Sequence, residues 1–372
     1  MTIPAEYAAR LAKARAALAR HDCAVMLVDH GELLAWLTGY TVSETMYRAA
    51  LVPRAGEPCF VLRALDAGPC RAGTWFEAVI GYADDADPHA AVAATLDARG
   101  FASGRIGVDF SSYGFTAATR DRLQALLPAA RFVDLGPVSD TLRAVKSAAE
   151  IDLLTQAARI ADGAMQTVGK TVAEGMRVRE AAAVAAAEML RLGADDGGPG
   201  PILRGVGDDQ FLHGQGLDEV LGKGDVLHVE LTPRVKGYSA RLMRPILLGR
   251  DPARERIAAR LIALQDRQIA AMRPDLQARD VDAVLRRGVL GEGLRADYGN
   301  VTGYSLGLYA RTPRPSDFSY CFHPGADWRL EAGMVFHMYT SARDLAFSES
   351  VLVTADGARR LTRYPRSPIF AG

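Results

Sequence analysis

The feature that most constrains this chain is a change, partway along, in the order of its hydrophobic periodicities. Up to about residue 137, helix-period and strand-like segments alternate. Leu11, Ala14, Ala17 and Leu18 recur at helical spacing ahead of the apolar run that starts at Cys23. The hairpin pattern ALVPRAGEPCFVLRAL follows, and then AAVAATLDARGF, RIGVDF, TAATRDRLQALLP and RFVDL read as helix, strand, helix and strand. Alternation of this kind specifies an α/β layer domain. Beyond the junction PVSDTLRAVKSAAE the order differs. Two helical patterns come first, with Ile151, Leu154, Ala158 and Ala161 at three and four, then Arg177 to Leu192; strand patterns follow, interrupted by one more helical pair over 253–273 and 278–288. Helices followed by a mostly antiparallel sheet predict an α+β domain. The expected division is residues 1–137 and 138–372.

Composition narrows the function. Lysine and arginine total 44 and aspartate and glutamate 44, so no net field is available to hold a polyanion, and nucleic acid is not an expected partner. Four dispersed cysteines without a CxxC pair argue against a sulfur-ligated metal and for a reducing compartment. The N-terminal amphipathic pattern does not resemble a signal peptide, and no apolar run reaches the length of a membrane span. A cytoplasmic protein without membrane attachment is expected.

Several residues could carry chemistry. His213 lies in the glycine-flanked segment FLHGQG, where a loop base can reach a cleft. Glu230 interrupts the apolar strand VLHVELTP and calls for a partner, with Arg241 and Arg244 in SARLMRP as candidates. His228 shares the strand face of Glu230 by the period of two and can be explained as packing. Tyr304 sits in TGYSLGLY; His337 and Tyr339 alternate in GMVFHMYTS; Glu349 precedes an apolar strand in SESVLVT. If these strands present Glu230, Tyr304, His337, Tyr339 and Glu349 to one cavity, they form an acid/base pocket suited to a small polar molecule. Two glutamates among arginines and tyrosines are a poor inventory for a two-metal hydrolase, so neither metal nor other cofactor is expected.

The series LTGY, LRAVKSAAEIDLLTQAARIAD, GKGDVLHVEL, KGYSARLMRP, TGYSLGL, LEAGMVFHMYTS and SESVLVTADG resembles the creatinase/aminopeptidase, or pita-bread, family. That resemblance implies a pita-bread catalytic domain behind a creatinase-like α/β domain. It implies that the five metal-ligand positions of the family's peptidases fall here on Glu230, Arg241, Tyr304, Tyr339 and Glu349, and that a further histidine position falls near Arg311. It implies a substrate-contacting histidine at His213, and a homodimer in which the N-terminal domain, with Tyr47 or Arg48, borders the partner's site. The metal-independent ectoine hydrolase branch shares the look of GYSLGL, GMVFHM and the C-terminal SESVLVTADGARRLTRYPR. The expected activity is therefore metal-independent hydrolysis of a non-peptide C–N bond in a small nitrogen-rich compound. His213 is the expected acid/base, Glu230 and Glu349 hold the substrate's cationic nitrogen, and Arg241, Arg244 or Arg311 hold its carboxylate. Tyr304, His337 and Tyr339 are the expected donors to the reacting oxygen. Alternatives are an inactive small-molecule-binding homologue and a Xaa-Pro-type peptidase with atypical ligands.

Overall fold

The computed structural model describes residues 3–40, 46–205, 207, 211–214, 216–309 and 319–371. The chain divides into two compact units that change over between Ala144 and Val145. The short helix Val138–Thr141 goes with the first unit, because the Ser139 N–H donates to Asp109 Oδ2 at 3.0 Å and Arg143 Nε donates to the Ser139 carbonyl at 2.7 Å.

In the first unit a six-stranded sheet runs in the order Ala78–Tyr82, Cys59–Arg63, Ala49–Pro53, Val25–Val28, Arg105–Val108, Arg131–Asp134. The hairpin read from the sequence lies in the middle, antiparallel within itself and to Val25–Val28, and parallel pairs lie outside these three strands on both sides. The N-terminal helix Ala5–Arg20 buries Leu11, Ala14, Ala17 and Leu18. Helix Pro88–Ala98 begins where the Asp87 side chain accepts the N–H groups of His89 and Ala90 and Pro88 occupies the first turn. Strand Ala78–Tyr82 and helix Ala64–Gly73 have no clear sequence signal. The strand is partly exposed and runs into a polar stretch, and the helix contains Pro69.

The second unit builds one pattern twice. Helices Ala148–Thr171 and Val178–Arg191 lead into strands Ile202–Arg204, Val226–Leu231 and Leu242–Leu247. Helices Pro252–Ala271 and Ala278–Gly291 then lead into strands Gly303–Ser305, Val335–Ala342 and Leu345–Val353. Ser147 and Glu150 form a capping box that fixes the start of the first helix. Each half centres on a four-stranded sheet, the first completed by the C-terminal strand Ile369–Phe370, parallel to Leu242–Leu247, and the second by Ala358–Arg360. Leu227, Val229, Leu231, Leu242 and Ile246 pack beneath the first helix pair, and Val226, Leu247, Leu345 and Phe347 pack with the second. The halves are joined where Ser350 Oγ accepts the Arg241 N–H at 2.9 Å and donates to the Arg241 carbonyl at 3.0 Å. Among the described residues no helix is long and apolar enough to cross a membrane, and all four cysteines are buried.

Candidate active site

Register decides which side chains meet. In the second sheet Tyr304 pairs with His337, and Tyr339 with Ser348, so these four share a face. The Tyr304 ring lies edge-on to His337 with centroids 5.0 Å apart, and His337 stacks on Tyr339 at 5.3 Å. Gly303 permits this approach, because a Cβ there would stand 2.8 Å from the His337 carbonyl oxygen and 2.6 Å from Met338 Sδ. In the first sheet Glu230 and His228 share a face by the period of two. Arg241, just before strand Leu242–Leu247, reaches across to Glu230: its Nη1 donates to Oε1 at 2.9 Å, with both side chains almost fully buried. The Arg241 guanidinium also lies 5.4 Å from the Tyr304 ring centroid, a cation–π contact that links the two sheets. Leu203, Phe211, Met243, Cys321 and Ala346 supply an apolar lining around Tyr304 and Tyr339.

Burial sets the protonation states. It raises the pKa of both Tyr304 and Tyr339 far above the ordinary phenol value, so both keep their hydroxyl protons; Asn300 Nδ2 donates to Tyr339 Oη at 3.2 Å. Burial, and then the charge on Arg241, hold His337 well below its usual value. Burial, and then the neighbouring His213, bring His228 down to about 3, so both rings are neutral imidazoles. Burial alone would lower Arg241, but Tyr304 and Glu230 outweigh it and keep the guanidinium charged.

Two residues expected in this pocket lie elsewhere. Glu349 pairs with Met338 and therefore points to the face opposite Tyr339. There its Oε1 accepts from Arg244 Nη2 at 2.7 Å and Arg366 Nη1 at 3.1 Å, while Oε2 accepts from the Thr362 hydroxyl. Arg244 is turned the same way. Its Nε donates to the Pro365 carbonyl, Nη1 to those of Met243 and Ser348, and Nη2 to Glu349 and the Tyr364 carbonyl. All five donors of a guanidinium are thus engaged, and none is left for a substrate. In this structure Glu349 and Arg244, expected in catalysis and in substrate binding, belong instead to a buried charge cluster on the face opposite Tyr339. Ser348 occupies the inward position one residue earlier.

His213 stands on an exposed turn after Phe211, and Phe211 lies edge-on to His228 at 5.2 Å. Arg311 and the segment TVSET lie outside the described residues. Arg48 and Tyr47 belong to the first unit, where the Tyr47 hydroxyl donates to Asp29 Oδ2 at 3.0 Å and the ring stacks on His89. Sequence reasoning missed Ser348 and Asn300 and left His228 as packing. Counting by twos from Glu230 does find His228, whereas Ser348 requires the pairing register.

The chain belongs to metallopeptidase family M24. The family's profile matches residues 152–355, and that of the creatinase/prolidase N-terminal domain matches residues 10–145. The fold is thus the pita-bread domain preceded by a creatinase-like domain, and hydrolysis is the reaction class that membership supports. Ectoine hydrolase from Halomonas elongata is 27% identical over 390 residues, spanning 97% of this chain and 96% of that protein. A Xaa-Pro dipeptidase from Pyrococcus furiosus is 26% identical over 238 residues, 63% of this chain and 68% of the relative. The crystal structure of a dipeptidase from Pyrococcus horikoshii OT3 superimposes with a TM-score of 0.82 at 23% identity, covering 97% of this chain and 99% of that one.

The residues present do not fit the metal centre that the family's description implies. Among the described residues no group of three or more histidine, cysteine, aspartate or glutamate side chains is arranged to hold a metal ion. The donor set explains why. Glu230 is balanced by a guanidinium, protonated tyrosines stand at two further positions, and the acid in SESVLVT faces away.

Proposed function

We propose that this protein hydrolyses a non-peptide C–N bond in a small nitrogen-rich compound, a cyclic amidine such as ectoine or a close analogue, without a metal pair. The observation that carries this reading is the buried Glu230–Arg241 ion pair, 2.9 Å between partners, which sets a cation where a dinuclear site needs a free carboxylate. Similarity to ectoine hydrolase over nearly the whole length supports the substrate class.

In this mechanism His213 accepts a proton as water adds to the amidine carbon. A C–O bond forms, the tetrahedral oxygen takes hydrogen bonds from Tyr304 and Tyr339, His213 returns its proton to the leaving nitrogen, and the C–N bond breaks as the oxygen's remaining proton passes to the released amine. The ring opens and the carbon ends as an amide carbonyl. Arg241 is the matching partner for a substrate carboxylate. The proposed assembly is a homodimer in which Tyr47 or Arg48 of one copy contributes at the other's site; equilibrium sedimentation would test the dimer.

A Xaa-Pro-type peptidase is the second reading, favoured by the similarity to the Pyrococcus furiosus dipeptidase. The experiment that separates the two is product detection by mass spectrometry. Chelator-treated protein would be incubated with ectoine, hydroxyectoine, creatine, other amidines and short proline-containing peptides. Ring opening in chelator supports the proposal. Cleavage of peptides alone, and only after metal is added, would sink it.

A further inference from the structure

Two side chains in the second unit are buried at apparent cost. His228 and His337 are fully buried, and among the described residues none of their four ring nitrogens has a hydrogen-bond partner. Each unpaired buried polar group costs about 1–3 kcal/mol, and native interiors rarely gather several. The two rings come from different sheets, yet both belong to the site. His228 lies on the Glu230 face, Glu230 pairs with Arg241, Arg241 lies over Tyr304, and Tyr304 packs on His337. Neither residue was needed by the hydrolytic mechanism above.

A nitrogen-rich cationic substrate needs acceptors. The two glutamates first expected to provide them are committed, Glu230 to Arg241 and Glu349 to Arg244, Arg366 and Thr362. A neutral imidazole has one lone pair and one N–H, and either nitrogen can carry the proton, so each ring can present an acceptor. Arg241 Nε is likewise buried without a partner among the described residues and can meet an anion.

We propose that His228 and His337 are substrate-binding residues, one from each sheet, which accept the N–H groups of a planar amidinium while Arg241 Nε takes the carboxylate of the same molecule. The inference rests on the cyclic-amidine reading and names what holds the reacting group. It selects for a substrate that pairs a delocalised nitrogen cation with a carboxylate, and it disfavours neutral amides, which have fewer N–H groups to offer.

The test uses the full chain labelled with ¹⁵N-histidine, and leucine variants at each position assign the ring signals. Ectoine should shift the ring nitrogens of both His228 and His337, and acetamidinium chloride should do the same. His228→Leu and His337→Leu should raise KM for ectoine roughly 10- to 100-fold, as for a lost hydrogen bond to a charged group. Glutamine at either position, which retains an acceptor, should recover part of that loss. Turnover of ectoine with unmoved ring signals and unchanged KM in the leucine variants would overturn the inference and leave the hydrolase reading standing. A response of both rings to acetamidinium without ectoine turnover would do the reverse. Silence of the rings toward both organic probes, or a response to zinc chloride alone, also overturns it; because the ring shifts are read on the unsubstituted protein, a variant that fails to fold does not blur the result.

Discussion

The Arg244 guanidinium meets the Glu349 carboxylate at 2.7 Å with neither side chain exposed, on the face of the sheet opposite Tyr339. Arg366 adds a second cation to the same oxygen, and backbone carbonyls take the remaining Arg244 donors. A buried cation stripped of its counter-charge is costly, whereas the intact pair contributes little beyond its own desolvation. Glu349→Gln should therefore lower unfolding stability by about 3–5 kcal/mol while leaving turnover per folded molecule largely intact. Urea unfolding beside active-site-normalised kinetics checks this. Lost turnover with an unmoved midpoint would return Glu349 to the chemistry.

His213 is exposed on its turn, so its replacement should touch little packing. His213→Ala is expected to leave stability within about 0.5 kcal/mol and to cut kcat roughly 10²- to 10⁴-fold, the usual worth of a positioned acid/base. Undiminished turnover would remove it from the mechanism.

Gly303 should tolerate no side chain. In Gly303→Ala the new methyl group would press on the backbone oxygen of His337, which strand pairing holds in place. A loss of about 1–3 kcal/mol is expected from this overpacking, with a drop in activity from displaced Tyr304. Calorimetry and kinetics on the variant measure both, and normal values for either would show that the strand can yield.

Asp29 offers a pH signature within the first unit. Burial raises its pKa from 3.8 to about 6, although Ser112 and Tyr47 both donate to it. A raised folded-state pKa means that its stabilising contribution is present below pH 3.8 and is lost as pH climbs through 6, by about 3 kcal/mol in all. Asp29→Asn, which cannot ionise, should gain on the natural protein as pH rises from 4 to 7. Parallel stability curves for the two proteins would contradict this.

The fold was largely legible because its signals are local. Helix spacing, the hairpin at Pro53–Cys59 and the change from alternating to segregated elements depend only on neighbouring residues. Much of the site was legible too: alternation along single strands brings His337 together with Tyr339, and the eleven-residue separation of Glu230 and Arg241 spans one hairpin. What was not legible depends on long-range register. Whether Ser348 or Glu349 looks inward is fixed by pairing with Val335–Ala342, and a shift of one residue exchanges the faces. The partners of Arg244 were not legible for the same reason, since apart from Met243 they lie 104–121 residues further along the chain. The strand Ala78–Tyr82 is too short and too exposed to announce itself.

The orientation of Glu349 bears on how kin of this chain should be sorted. An acid still stands in SESVLVT, and a survey asking only whether that stretch contains one would file the protein with the metal-dependent peptidases. Its charge is delivered to the wrong side. Odd or even position along the strand is the better criterion, and under it this chain carries a serine at the inward slot, in keeping with the hydrolysis proposed for it without a metal pair.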